Sequence, residues 1–399
     1  MDKWRILPWG LLGAFGFFIF APVLFFGRAF FGEEQSGFYY AISYYVDMAL
    51  RQGIPLLWQP GYFGGVSTSL QQFYGNFYPI NLFLFERFDF FFAHHLSMAL
   101  ATAAGLLFAY WFGRLQGWHV VSSLTLALGY FSATTFAWIQ IGTIAAHSFA
   151  ILPAILFAVH YASRKRGLGY ALAIAGAGVS LGIGFLAGFM QIVFYAYVIA
   201  GLYAIFLDYA GWNNTVAWYR NLRTSIAYAA ITLLGLLVGL QQFLPSAALI
   251  DLTIRTGTYA AQNAVYPHLT EIMAYVLPPY FDVPFFGSGH AAGFYVGSIG
   301  FVCALLGLIY YRTSHMLFFA GVYAAIAAFA FHLPVFGWVN EHMPPFSHMG
   351  GNFRWLVSGA FPLAFVAAAG IEGLLRAPER LGVRARKLVL WGSAGLAFV

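Results

Sequence analysis

The sequence predicts an all-α integral membrane protein that crosses the bilayer about ten times, and three observations lead to this fold class. Apolar residues make up 61% of the 399-residue chain and charged residues only 8%, whereas soluble domains carry about 25% charged residues. Apolar runs of spanning length recur along the chain, and the basic residues lie between them. A soluble fold cannot hide so much apolar surface, so the excess is predicted to face lipid.

The apolar runs define the predicted spans, because a helix needs about 20 apolar residues to cross a bilayer. The candidate segments are 7–27, 93–113, 119–138, 147–162, 168–187, 190–209, 224–244, 294–311, 315–332 and 354–374. The first run is too long for the apolar part of a signal peptide. An eleventh run begins at Leu388, and its residues up to Val399 rise only about 18 Å as a helix. The natural protein is therefore predicted to continue, with more spans than the 10 to 11 seen here.

The distribution of charge predicts the orientation of the spans, because cytoplasmic connections carry an excess of Lys and Arg. With the N-terminus in the cytoplasm, all but five of the 19 basic residues fall on the cytoplasmic side. The exceptions are Arg28, Arg51, Arg87, Arg255 and Arg354. Most acidic residues fall on the outer side, which concentrates polar chemistry there. Nucleic-acid binding is not predicted, because Lys and Arg do not cluster on one basic face.

Three long connections, 28–92, 245–293 and 333–353, are predicted on the outer face of a single domain over 1–399. They are rich in aromatic residues, Gly and Pro and poor in Ser, Lys and Glu, so we expect ordered structure rather than disorder. In the first connection, Phe38 to Arg51 has the periodicity of an amphipathic helix in the plane of the interface. Its predicted polar face carries Tyr40, Ser43, Tyr44, Asp47 and Arg51, and Asp47 and Arg51 have the i,i+4 spacing of an ion pair.

Acids, amides and aromatic residues surround that helix. Glu33 and Glu34 are either a solvated pair marking the membrane boundary or carboxylates held for chemistry near a helix N-terminus. The aromatic and amide residues that follow are either an aromatic belt or a sugar-binding surface, and they are Trp58, Gln59, Gln71, Tyr74 and Asn76.

Two polar pairs in the second long connection have open alternatives. Arg255 either forms a salt bridge with Asp251 or contacts a lipid phosphate. His268 either makes a polar contact with Glu271 or shares a metal with it.

A third pair, His94 and His95, lies at the start of the second span. These two adjacent residues are not expected to bind one metal together, because neighbours on a helix point apart.

Several segments resemble the YfhO family of bacterial membrane proteins, part of the GT-C superfamily of glycosyltransferases that use polyprenyl-phosphate sugars. Gly53–Gly65 resembles the family pattern G-x-L-P-L-W-N-P-x-x-x-G-G, and Gly75–Asn81 resembles G-x-F-Y-P-L-N. The order continues through Gln242–Ala248, 267–279 and the run from Phe294, and Pro344–Leu356 resembles P-G-F-S-x-F-R-x-P-x-R-F-L. The chain departs from the pattern where Glu33 and Glu34 stand in place of Asp, Gln59 in place of Asn and Gly350 in place of the first Arg.

The resemblance implies a GT-C-like bundle and a mechanism at the outer face of the cytoplasmic (inner) membrane. A carboxylate of the first loop acts as general base on an acceptor hydroxyl, and the resemblance assigns this role to Glu34 or Glu33, with Asp47 in reserve. Arg354 is expected to face the donor phosphate. The implied partners are a polyprenyl-phosphate sugar, an envelope acceptor (polymer, lipid or protein) and membrane lipid. No cofactor is predicted, and a divalent metal stays open.

Two other functions stay open at this point. A lipid or sugar transporter, or a flippase, is expected to carry ionisable residues deep within its spans, and here the acids and bases lie mostly at the interfaces. A non-catalytic GT-C-like scaffold for envelope assembly is the other alternative, because Gly350 replaces one expected Arg.

Overall fold

The computed structural model describes residues 3–31, 35–61, 64–67, 75–141, 143–212, 215, 218–249, 296, 298–344, 346–349 and 354–376. These residues are almost entirely helical. The helices are α1 Lys3–Phe25, α2 Tyr40–Gln52, α3 Pro79–Phe85, α4 Phe90–Leu115, α5 Val120–Ile141, α6 Thr143–Arg164, α7 Leu168–Leu186, α8 Met190–Ala210, α9 Trp218–Asn221, α10 Arg223–Leu249, α11 Ser298–Tyr310, α12 Ser314–Ala330, α13 Pro334–His342 and α14 Arg354–Arg376. A π-helical turn, Gln35–Tyr39, leads into α2, and the strands β1 Trp58–Gln59 and β2 Val66–Ser67 pair antiparallel.

The prediction of an all-α, multi-pass membrane protein is confirmed at this coarse level. Within the described ranges, seven helices are long and apolar enough to cross a membrane, and they belong to α1, α4, α6, α7, α8, α10 and α14. An eighth span is formed if α12 and α13, which meet at a 69° bend, are taken together. The predicted spans 119–138 and 294–311 fall on α5 and α11, whose described apolar parts, Val120–Thr134 and Gly300–Ile309, are shorter.

The chain divides into two compact units. Unit I comprises Trp9–Gly105 and Trp138–Thr253, and unit II comprises Met1–Pro8, Leu106–Ala137 and Ile254–Val399. The single domain predicted over 1–399 stays a prediction.

Helices α7 and α10 of unit I pack closely because glycines of α7 lie at their contact. A Cβ atom on Gly178 would lie 2.6 Å from the Cβ of Leu234, and one on Gly182 would lie 2.4 Å from the Cβ of Val238. Small residues four apart let helices approach closely in membranes, where dispersion contacts replace the hydrophobic effect. The contacts advance together along both helices, so α7 and α10 run parallel, as the predicted topology requires of two outward-running spans.

In unit II, α14 is the central helix, and its apolar stretch is fully buried. Phe361 and Phe365 of α14 pack against Phe319 of α12, with a closest centroid distance of 4.2 Å. At the end of α14, the Glu372 carboxylate accepts hydrogen bonds from the backbone N–H of His119 (2.8 Å) and from Arg376 (2.6 Å). These bonds fasten the connection between α4 and α5 to α14.

Candidate functional site

The ion pair predicted on α2 is confirmed, and it ties that helix to its neighbours in unit I. Arg51 Nε lies 3.1 Å from both carboxylate oxygens of Asp47, and its Nη2 lies 3.0 Å from Oδ1. The same Nη2 donates to the carbonyls of Phe85 (2.9 Å) and Phe88 (2.5 Å). Its hydrogen bond to Asp47 raises the pKa of Arg51 above the usual value. Asp47 is thus held in a bidentate pair that anchors α2 to the α3–α4 connection.

The buried side of α2 differs from the predicted one. The expected polar face included Ser43 and Asp47, yet both side chains are buried, together with Ile42, Val46 and Ala49. The reason is tertiary: α3 and the start of α4 cover this side of the helix, and Val46 packs into a cluster with Leu84, Phe85, Phe90 and Ala93. Because α3 and α4 cover this side, the side chains of Ser43 and Asp47 lie inside unit I, and Arg51 balances the negative charge of Asp47 there.

A short hairpin follows α2 and places the next two predicted site residues. Trp58 exposes 54% of its surface, while Gln59 is buried and its Oε1 has no hydrogen-bond partner among the described residues. The hydroxyl of Tyr45 donates to the carbonyl of Trp58 at 2.6 Å, which fixes the hairpin on α2. A Cβ on Gly65 would lie 2.4 Å from the Trp58 ring, so glycine is required there.

The segment 75–81 carries Asn76 into the interior. Gly75 has φ +60°, and a Cβ atom on it would lie 2.7 Å from the carbonyl oxygen of Ala187 in the α7–α8 turn. The next residue, Asn76, is only 3% exposed, and neither its Oδ1 nor its Nδ2 is hydrogen-bonded in the part of the chain that the structure describes. A buried amide without partners is uncommon in folded proteins and needs an explanation.

A hydrogen-bonded chain begins at Asn81, five residues after Asn76 in the same segment. The hydroxyl of Ser97 donates to Oδ1 of Asn81 at 2.5 Å, and Nε2 of His147 lies 2.8 Å from the same hydroxyl. Since the Ser97 hydroxyl donates its proton to Asn81, the Nε2 of His147 must donate to the oxygen of that hydroxyl. The ring of Tyr78 packs on His147 with a centroid distance of 4.2 Å, and burial raises the pKa of the Tyr78 hydroxyl.

A second histidine–tyrosine contact completes this end of unit I. His95 Nδ1 lies 2.7 Å from the carbonyl of Phe91, and Nε2 lies 3.0 Å from the hydroxyl of Tyr40. Nδ1 must carry the proton, because it faces a carbonyl, so Nε2 of the neutral ring accepts from Tyr40. The Phe30 carbonyl, 2.9 Å away, competes for that hydroxyl proton. His94 is buried against Tyr40, with ring centroids 5.0 Å apart.

We define the polar cluster as Tyr40, Asn76, Tyr78, Asn81, His94, His95, Ser97 and His147. Its members come from the first long connection and from the starts of α4 and α6, so these N-terminal helix ends lie on one side of unit I. Hydroxyl, amide and imidazole groups of this kind can donate to and accept from a hydroxyl-rich ligand. Among the residues that are described, no three His, Cys, Asp or Glu side chains come close enough together to hold a metal ion.

Only some of the predicted site residues can be located. Glu33, Glu34, Gln71, Tyr74, Arg255 and His268 lie outside the described residues. Asp47, Arg51, Trp58, Gln59 and Asn76 belong to unit I, and of these the structure joins Asp47 and Arg51 directly. Arg354 begins α14 in unit II and is partly buried.

Sequence reasoning missed the bonds between Asn81, Ser97 and His147. Asn81 closes the segment resembling G-x-F-Y-P-L-N, but its partner lies 16 residues away, and His147 lies 50 residues beyond Ser97. The available signal was the polar pair His147 and Ser148 at the start of an otherwise apolar run.

Neither a scan against protein-family models nor a search of curated proteins finds a match for this chain.

Proposed function

We propose that this protein is a membrane glycosyltransferase that moves a sugar from a polyprenyl-phosphate donor to an envelope acceptor on the extracytoplasmic face of the cytoplasmic membrane. The observation that carries the proposal is the buried amide of Asn76, a member of the polar cluster that has no hydrogen-bond partner within the described part of the chain. Leaving buried polar groups unpaired costs about 1–3 kcal/mol. A ligand that donates to Oδ1 and accepts from Nδ2 removes this penalty, and vicinal hydroxyls of a sugar ring do both.

Aromatic and amide groups of the first long connection support a sugar ligand. Binding sites for small molecules combine apolar and aromatic walls with a few polar groups that fix the orientation of the ligand. In unit I, Tyr78 supplies an aromatic ring that packs on His147, and Asn76 supplies an amide without a hydrogen bond to any described residue. In the hairpin, Trp58 and the Oε1 of Gln59, which has no partner among the residues described, offer the same pair of functions.

The proposed general base is Glu34 or Glu33. Both directly precede the π-helical turn Gln35–Tyr39 that leads into α2, and a general base must come within hydrogen-bond reach of the hydroxyl it deprotonates. Asp47 is the weaker candidate, because Arg51 already occupies both of its oxygens. The role of Arg354 at the donor phosphate rests on the resemblance described above.

The extracytoplasmic assignment rests on the predicted topology. Charge bias places the starts of α4 and α6 and the α7–α8 turn on the outer side, and the structure gathers segments from all three at one end of unit I. A donor whose lipid remains in the membrane and whose sugar reaches the interface suits a site at this level.

Transport of a lipid-linked sugar is the second candidate function, and a buried histidine favours it. His160, within span α6, is 2% exposed, and its Nδ1 lies 2.6 Å from the hydroxyl of Tyr203 in α8. Ionisable side chains inside spans often mark transport pathways or proton relays. Flipping of a labelled donor in proteoliposomes, lost in His160→Phe but retained in Glu34→Gln, is the result expected of a transporter.

The test of the first proposal is a sugar-transfer assay. Purified protein in nanodiscs is incubated with a panel of polyprenyl-phosphate sugars, and wild type is compared with Glu33→Gln, Glu34→Gln and Asp47→Asn. We expect one Glu variant to lose transfer while still binding donor, and Asp47→Asn to lose thermal stability. Absence of transfer, donor hydrolysis and donor binding across the panel, in well-folded wild-type protein, contradicts the proposal.

A further inference from the structure

A second polar site lies at the opposite end of unit I from the polar cluster. There the ends of α6 and α8 meet the starts of α7 and α10 around a cavity of about 790 Å3. Its lining includes Arg166 from the α6–α7 connection, Arg220 from α9 and Arg223 from the start of α10. The charge bias of the sequence predicts that this end faces the cytoplasm.

The positive charge of this arginine cavity is largely uncompensated. Arg166 and Arg220 are exposed and form no ion pair among the described side chains. The acidic residue in the lining, Asp208, uses both oxygens to accept the backbone N–H groups of Thr224 (2.9 Å) and Ser225 (2.7 Å).

Asp208 and Arg223 therefore serve the fold of the cavity. By accepting from the first turn of α10, Asp208 satisfies the orphan N–H groups of that helix. Arg223 lies over the ring of Tyr170, 4.5 Å from its centroid, and donates to the carbonyl of Lys165. The exposed guanidinium groups of Arg166 and Arg220 form no ion pair among the described side chains, so they can bind a ligand.

The chemistry of the cavity fits a phosphate group at the membrane surface. Arginine presents a planar fork that binds phosphate oxygens in pairs. Tyr219 in the lining is 52% exposed, and Tyr209 and Trp212, which follow the lining residues Asp208 and Gly211 in the sequence, are 79% and 48% exposed. Exposed aromatic side chains of this kind are typical of the headgroup level. The cytoplasmic leaflet is rich in anionic lipids, and basic pockets between helices on that side bind their headgroups.

We propose that the arginine cavity binds the phosphate headgroup of an anionic phospholipid from the cytoplasmic leaflet. Arg166 and Arg220 contact the phosphate oxygens, and the exposed aromatic residues lie beside the glycerol and upper acyl region. The site is separate from the polar cluster and does not depend on which reaction occurs there.

The experiment measures lipid binding to the full chain. Delipidated protein in detergent is titrated with phosphatidylglycerol, with phosphatidylcholine and with inorganic phosphate, and bound lipid is counted by native mass spectrometry. We expect Arg166→Gln/Arg220→Gln to bind phosphatidylglycerol at least about tenfold more weakly, since both guanidinium groups that form charge-assisted hydrogen bonds to the phosphate are lost. The matched control, Arg28→Gln/Arg312→Gln, removes two exposed arginines elsewhere and is expected to bind like wild type.

A third variant guards against misfolding. Arg166→Lys/Arg220→Lys keeps both charges and loses the planar fork, so we expect intermediate affinity with unchanged thermal stability. Equal phosphatidylglycerol binding by the Arg→Gln variant and its control overturns the proposal. Equal affinity for phosphatidylcholine overturns the anionic specificity, and displacement of lipid by inorganic phosphate at the same concentration overturns the assignment to a lipid headgroup.

Discussion

Asn76 and Asn81 offer a matched test of whether the polar cluster is built for a ligand or for stability. The two residues lie five positions apart in one segment, and they are 3% and 4% exposed. The side chain of Asn81 accepts a hydrogen bond from Ser97, whereas the side-chain amide of Asn76 has no hydrogen bond among the described residues. Substitution of each by alanine removes the same atoms from similar surroundings, so the difference between them isolates the hydrogen bond.

The two variants are expected to differ by at least about 2 kcal/mol in the free energy of unfolding, because the cost at Asn81 and the gain at Asn76 add. Asn81→Ala leaves the buried hydroxyl of Ser97 without its acceptor, which costs about 1–3 kcal/mol. Asn76→Ala removes a buried amide that has no partner in the described ranges, a gain of about 1–3 kcal/mol. This gain offsets the packing lost with the side chain. We therefore expect Asn76→Ala to stay within about 1 kcal/mol of wild type.

The assay is reversible unfolding in mixed micelles with increasing SDS, followed by tryptophan fluorescence, together with binding of a polyprenyl-phosphate sugar. Asn76→Ala is expected to weaken donor binding about tenfold while leaving unfolding nearly unchanged, because one hydrogen-bonding group of the site is lost. Equal destabilisation by both variants refutes the reasoning, since Asn76 then has a structural partner. Unchanged donor binding in Asn76→Ala refutes the assignment of the ligand.

Three further predictions test contacts that hold unit I together. Asp47→Asn and Arg51→Gln each lower the midpoint of thermal unfolding. The double variant is as stable as the less stable single variant, since each single substitution already removes the same ion pair. Additive losses in the double variant contradict this coupling. Gly75→Ala destabilises unit I more than Gly27→Ala, because both positions have positive φ but only the first meets a backbone atom; equal thermal shifts contradict the close approach. Asp208→Ala, measured by SDS titration, costs about 2–3 kcal/mol, because the start of α10 loses its charged cap; a loss below about 0.5 kcal/mol contradicts that role.

The fold class was predictable because composition alone forces it. Long apolar runs with few charges have no stable alternative to spanning helices. Each of the ten candidate spans from 7–27 to 354–374 overlaps a helix, while the eleventh run, from Leu388, lies outside the described residues. The bend between α12 and α13 was not predicted, although Pro334 marks the start of the second helix. At the bend itself, His332 has a positive φ, and its Nε2 lies 2.9 Å from Oε1 of Glu341. No local sequence pattern predicts this contact.

The site was predictable only where its contacts are local. The pair between Asp47 and Arg51 follows from helical spacing, and it formed as expected. The burial of Asp47 did not follow, because the periodicity of α2 says nothing of α3 and α4 covering it. His147 joined the cluster through Ser97, 50 residues away, and a pairing of this kind is fixed by tertiary packing rather than by sequence spacing.

The most direct test of the central claim is release of free polyprenyl phosphate from a polyprenyl-phosphate sugar by the purified protein in nanodiscs, with an acceptor extract present. The account predicts release by wild type, and loss of release in the Glu33→Gln/Glu34→Gln double variant that still binds donor. Release that persists undiminished in the double variant contradicts the proposed base. No release by wild type with any donor contradicts the proposed transferase and directs attention to transport.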